Sequence, residues 1–228
     1  MRQSAYLENF VGEAFNNWTY FYPPRTSIKI PFDDNDTLTM WRNSPDAIGQ
    51  YKMNGDRNLI AIAPDKTIKM WNRHKEEQKY NIPLDIMYQL QNLATPDKWT
   101  VFDSELLHKR TKNVKDCIYI YDILVCDSVK LVGATYEQRC EILQSLGLPY
   151  MPLEPDKLTE NIYLAENFKA DRWDELWASI KEQPVEWCEG LVLKHLGWES
   201  RLMAGDRKEN NCGGFMCRVR KPKKNYLF

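Results

Sequence analysis

Apolar and polar positions change their period several times along the chain, and each change marks an element. From about residue 48 to 72, short apolar runs are broken by "KMNGDR" and "PDKT". That pattern predicts a strand, an Asn-Gly hairpin turn, a second strand, and a third strand over "IKMW". "WTVFDSELL" and "CIYIYDILV" are two further β-rich runs, separated by the basic loop "HKRTKNVKD". "EGLVLKHL" and "FMCRVRKPK" read as a last pair of strands, joined by a polar, glycine-containing loop. Helical spacing occurs over 83–94, with Pro83 in the first turn. It recurs in "TYEQRCEILQSLGLP", where Thr135 and Gln138 form a capping-box pattern and Gly147 and Pro149 stop the helix. In "DRWDELWASIKEQP", Trp173, Leu176, Trp177 and Ile180 stand at i, i+3, i+4 and i+7, the stripe of a helix packed on a core. The first 20 residues predict a short amphipathic helix, "YFYPPR" an extended or turning segment, and "DDNDT" a loop. The sum is an α+β fold, mostly antiparallel sheets flanked by helices, in a single domain.

Composition narrows the class. The 228 residues allow a sizeable core, and 43% hydrophobic with 12% aromatic content excludes general disorder. Lys+Arg 31 against Asp+Glu 32 gives a formal charge of −1, so any nucleic-acid contact must come from a local basic face. Six scattered cysteines with no CxxC pair and three histidines argue against a structural zinc and for reduced thiols in the cytoplasm. His74, His108 and His195 read as structural or surface residues. The N-terminus carries Glu8 and Glu13 and no continuous apolar run, and no segment reaches the length of a membrane span.

Four stretches put charges where apolar strands do not want them. They are Lys52 in "QYKMNG", Asp103 and Glu105 in "VFDSELL", Glu189 and Lys194 in "EGLVLK", and the cluster "RVRKPKK". Asp103 and Glu105 lie two apart on a strand and share one face. Buried charges are costly unless paired, metal-bound or turned to a polar ligand. Two acids and several cations from separate strands suit a polyphosphate with Mg²⁺: lysines neutralise phosphate oxygens and a carboxylate holds metal or water.

The order of these motifs resembles the nucleotidyltransferase domain of the covalent nucleotidyltransferase superfamily: ATP-dependent DNA ligases, RNA ligases and mRNA capping enzymes. "KMNGDR" is similar to that family's KxDGxR motif, with Lys52 as nucleophile. "WNRHKE" resembles the arginine element after it, giving Arg73. "FDSELL", "YIYDIL", "EGLVLK" and "KPKKNYL" resemble motifs III, IIIa, IV and V. Six such elements in the family's order span residues 51–226, and "FDSELL", "WNRHKE" and "GATYEQRCEIL" look more like DNA ligases than RNA ligases. Two departures stand out. Asn54 replaces the usual Asp, a neutral amide for a carboxylate. The last motif fits two registers: Lys221 and Lys223 match the KxKxxYL spacing and are preferred, while Arg218-Val219-Arg220 offers the same basic–apolar–basic alternation.

The resemblance implies an ATP-grasp-like nucleotidyltransferase domain over 1–228, without the C-terminal OB-fold of most relatives. It implies attack of Lys52 on the α-phosphate of ATP, release of pyrophosphate, a lysyl–AMP, transfer of AMP to a 5′-phosphate and sealing by a 3′-hydroxyl. The amine of a free lysine, with pKa near 10.4, needs nearby cations to become nucleophilic. Lys194, Lys221, Lys223 and Mg²⁺ (or Mn²⁺) are implied for that work. Glu189 is implied as the metal-linked carboxylate, and Glu105 as a contact to a ribose hydroxyl or a metal-bound water. Tyr121 is implied to stack on adenine, and Arg57 and Arg73 to contact ribose or phosphate. Nicked DNA is the expected partner, with RNA as the second choice, no membrane, and a monomeric protein of cellular, phage or virus origin. An RNA ligase, a GTP-using capping enzyme and a non-catalytic nucleotide- or nucleic-acid-binding module are the rival readings.

Overall fold

The computed structural model describes residues 10–32 and 35–222. Two sheets organise them. A four-stranded sheet has the order β2 (Arg25–Ile30), β11 (Cys212–Arg220), β10 (Cys188–His195), β3 (Ala47–Met53). The larger sheet runs β1 (Glu13–Ala14), β8 (Val129–Lys130), β7 (Cys117–Cys126), β6 (Thr100–Leu107), β4 (Asp56–Ile62), β5 (Ile68–Trp71), with β9 (Ile162–Leu164) beside β7. Pairing is antiparallel except for β2–β11 and β7–β9. The α+β, mostly antiparallel architecture agrees with the sequence pattern.

Two core clusters serve the sheets, and Leu107, Cys117, Tyr119 and Tyr163 of the larger sheet pack into the cluster that covers the smaller one. Helices α2 (Leu84–Leu93) and α3 (Tyr136–Ser145) bury Ile86, Leu90, Ile142 and Leu143 against the larger sheet. The capping box at α3 is formed: Thr135 N–H donates to Gln138 Oε1 at 2.9 Å and Gln138 N–H to Thr135 Oγ1 at 3.3 Å. Helices α1 (Asn35–Arg42) and α4 (Trp173–Glu182) cover the smaller sheet, with Leu38, Trp41, Trp173, Leu176, Trp177 and Ile180 packed among Tyr51, Leu191, Leu193 and Val219. The i, i+3, i+4, i+7 stripe is therefore core.

Three local expectations change. Residues 10–20 hold the two-residue strand β1 and no helix; the rest of that expected helix lies outside the described residues. Asn35–Thr37 of the expected "DDNDT" loop open α1, because Leu38 and Trp41 give the following turn an apolar face. Most consequential, β3 and β4 do not form a hairpin: they pair in different sheets. Neither Asn54 nor Gly55 takes the positive φ that a type I′ hairpin turn requires. "NG" is instead the crossover from one sheet to the other, which places Lys52 at the crease between them.

Candidate active site

Strand parity decides what faces the crease. Across the smaller sheet, Gly190 pairs with both Lys52 and Arg220, and Val192 with both Gln50 and Arg218. Side chains at these positions share the face opposite Tyr51, Leu191 and Val219, whose face is the apolar core. Together with Arg57, Asp103, Glu105 and Tyr121 of the larger sheet they line a cleft of about 630 Å³.

Lys52 Nζ lies 2.8 Å from Glu189 Oε2, and Arg220 Nη2 lies 2.9 Å from the same oxygen. The Lys52 side chain keeps 20% of its exposure and Glu189 only 6%, so the pair is sealed below and open above. Gly190 makes this geometry possible. It has φ +151°, a β-bulge separates its register from that of Cys188, and an added Cβ would sit 2.0 Å from Val219 O. Gly55 performs a similar task on the other wall. Its N–H donates to Glu105 Oε1 at 3.2 Å, and a Cβ there would meet Glu105 Cγ at 2.6 Å. Asn54 anchors the crossover to the loop before β10: its N–H donates to Trp187 O at 2.9 Å and its Nδ2 to Glu186 O at 3.3 Å.

The larger sheet supplies a second charged group. Arg57 engages Asp103 with two hydrogen bonds, Nε to Oδ1 at 2.9 Å and Nη2 to Oδ2. Burial opposes the Arg57 charge, but Asp103 more than restores it. Burial pushes the Glu105 carboxyl up to about 7, against the pull of Lys52 and Arg57. Lys194 is pushed down to about 8, again by burial, with Asp122 acting in the opposite sense. Its Nζ stands 4.1 Å from the Tyr136 ring centroid and 5.3 Å from that of Tyr121. The Tyr121 hydroxyl donates to Ser104 O at 3.2 Å. Arg73 reaches the cleft rim from the loop after β5, where its Nε meets His74 Nε2 at 3.2 Å.

Lys52, Arg57, Arg73, Glu105, Tyr121, Glu189 and Lys194 thus converge on one cleft. Lys221 does not. Its Nζ donates to Ile180 O at 3.0 Å and Gln183 O at 2.6 Å, closing the C-terminal end of α4. Lys223 lies outside the described residues. On β11 it is Arg218 and Arg220 that face the cleft, the register the KxKxxYL spacing ranked second. Sequence reasoning also passed over Gln50, which shares the face of Lys52 by being two residues away. Its Nε2 donates to Tyr136 Oη at 2.7 Å and Asn167 Oδ1 at 2.8 Å.

Residues 107–211 match the family described as the ATP dependent DNA ligase domain. That segment contains Tyr121, Glu189 and Lys194 and begins after Lys52, Arg57 and Glu105. DNA ligase 1 of Saccharomyces cerevisiae is 24% identical over 185 residues, 71% of this chain and 23% of that protein. The ligase domain of M. tuberculosis LigD is similar in fold, with a TM-score of 0.54 at 16% identity over 89% of this chain and 61% of that one. The chain therefore spans less than two thirds of either relative. In sequence the chain is similar to ATP-dependent DNA ligases over 107–211 and to the yeast protein, and in fold it is similar to the LigD ligase domain.

Proposed function

We propose that this chain is the adenylation domain of an ATP-dependent polynucleotide ligase that acts on nicked DNA. The observation that carries the reading is the placement of Lys52. It stands at the crease of two sheets, ion-paired to Glu189 from a motif more than a hundred residues away, and open to a cleft lined by Arg57, Glu105 and Tyr121. Lys52 Nζ forms a bond to the α-phosphorus of ATP while the bond from that phosphorus to the bridging oxygen breaks. Pyrophosphate departs with the electron pair, and the amine proton passes to solvent. The AMP then moves to a nucleic-acid 5′-phosphate and is displaced by a 3′-hydroxyl.

Before attack, Glu189 orients the Lys52 side chain, and Arg220 shares the same carboxylate oxygen. Among the described residues no group of three or more His, Cys, Asp or Glu could hold a metal by itself. Mg²⁺ typically takes one or two carboxylates plus substrate phosphates, and Glu189 and Glu105 fit that requirement once ATP supplies the remaining oxygens. Bound there, Mg²⁺ would neutralise phosphate charge. Tyr121 offers an aromatic face for the base, and Arg57 and Arg73 offer donors to ribose or phosphate.

The test is intact-mass measurement after incubation with ATP or GTP and Mg²⁺. The expected result is an AMP adduct that is absent in Lys52→Ala. A GMP adduct would move the chain to the capping enzymes, and no adduct in protein that is not already adenylylated would make it a binding module. Sealing of nicked DNA against nicked RNA separates the two ligase readings.

A further inference from the structure

The cleft's cations fall into two groups. Lys52 and Arg220 are held by Glu189, Arg57 by Asp103, and Arg110 Nε by Asp56 at 2.8 Å. Asp122 is taken by Arg139, and Glu105 accepts from the Gly55 N–H. None of the acids lining the cleft is bonded to Arg25 or Arg218. Among the described residues neither guanidinium has a hydrogen bond or an ion pair, and the Nε of each is shielded from solvent. A shielded donor without an acceptor is costly and calls for a partner.

Their position says which partner. Arg218 faces the cleft one pleat repeat from Arg220 along β11, about 7 Å at 3.3 Å per residue. Arg220 stands on the rung of Lys52, the nucleophile of the proposed reaction, and Arg218 on the rung of Gln50. Arg25 opens β2, the strand on the far side of β11, and also lines the cleft. An α-phosphate at Lys52 would direct the rest of a triphosphate over β11 toward these two side chains. We propose that Arg25 and Arg218 form the subsite for the β- and γ-phosphates of ATP, and so for the departing pyrophosphate. The inference rests on the adenylation reading above. Guanidinium donors match phosphate oxygens in fork geometry, and with no carboxylate bonded to either arginine that geometry is free.

Inorganic pyrophosphate titrated calorimetrically into the full chain tests this directly. The wild-type protein is expected to bind it, and Arg25→Ala and Arg218→Ala are each expected to weaken binding about tenfold or more, as loss of a charge-assisted hydrogen bond implies. Arg→Lys at either position should keep part of the affinity. The KM for ATP in adduct formation should rise in parallel, while affinity for a nicked duplex, read by fluorescence anisotropy, stays at the wild-type value. Absence of pyrophosphate binding by the wild-type chain overturns the proposal, as does unchanged affinity in a folded double variant. A loss confined to the duplex also overturns it and assigns both arginines to the nucleic-acid backbone. If the wild-type chain forms no adduct, the adenylation reading fails, yet pyrophosphate binding still reads the subsite.

Discussion

Two ion pairs reach the cleft and differ in what they leave unfinished. Arg139 and Asp122 are 1% and 2% exposed, joined by Nε–Oδ1 at 2.7 Å and Nη2–Oδ2 at 3.0 Å. Arg139 Nη1 also donates to Ala134 O and Ser200 O, so the pair ties α3 to β7 and to two loops. Lys52 and Glu189 are also close, but the ammonium has no other hydrogen-bond partner among the described residues and opens to the cleft. A closed pair fixes architecture; an open one leaves its ammonium facing what enters, as the proposed attack by Lys52 requires.

Removing one member of the closed pair strands a buried charge, which costs about 3–5 kcal/mol. Arg139→Leu is therefore expected to lower Tm by roughly 10 °C, at about 2–4 °C per kcal/mol in a chain of this size. Lys52→Ala should shift it far less, because Glu189 keeps Arg220. Thermal unfolding of the two variants side by side checks the comparison, and equal losses would break it.

Gly190 is where the open pair depends on backbone. Gly190→Ala introduces a Cβ 2.0 Å from Val219 O at φ +151°, so β10 and β11 must separate or Glu189 must turn. The expected result is a loss of about 2–3 kcal/mol together with loss of the AMP adduct, measured by thermal unfolding and intact mass. A stable variant with normal adduct formation would show that the bulge does not aim Glu189.

Among the described acids that line the cleft, Glu105 has no ion pair, and its pH dependence separates it from both pairs. Burial raises its carboxyl from about 4.5 to about 7, so the native state holds the proton more tightly than the unfolded chain. Its contribution to stability is fully present below pH 4.5 and is lost as the pH rises through about 7. Without nucleotide or metal, unfolding free energy should drop by about 3 kcal/mol over that window. In Glu105→Gln the segment should be flat, and an unaltered slope would place the titration elsewhere.

Much of this was legible from residue order, and the failures have physical causes. Lys52, Asp103, Glu105, Glu189 and Lys194 stood out because strands do not keep charges inside without a use, and the structure brings them together. The hairpin expectation failed because the Asn-Gly signal is local, whereas the choice of sheet is made by long-range pairing of β3 with β10 and β4 with β6. Arg25 could not be read as a cleft residue, since nothing in "YPPRTS" reveals a parallel pairing with residue 212. Gln50 was within reach: parity with Lys52 alone puts it on the cleft face.

The smallest predicted effect concerns the last residue of β11 and the one after it, whose side chains diverge. Arg220 faces the cleft and joins the open pair, while Lys221 caps α4 through Ile180 O and Gln183 O and donates its own N–H to Glu189 O at 2.9 Å. Spacing favoured Lys221 for the chemistry, but a one-residue step along a strand reverses the face. Lys221→Ala is expected to cost about 1 kcal/mol, the net worth of charge-assisted bonds at a half-buried helix end, and to lower Tm by roughly 2–4 °C. Its backbone bond to Glu189 survives the substitution, so the AMP adduct should still form. Arg220→Ala should do the reverse, slowing adduct formation with little change in Tm, because Glu189 retains Lys52. Slow adduct formation in Lys221→Ala at unchanged stability would return the register to the lysine and take Arg220 out of the open pair's chemistry.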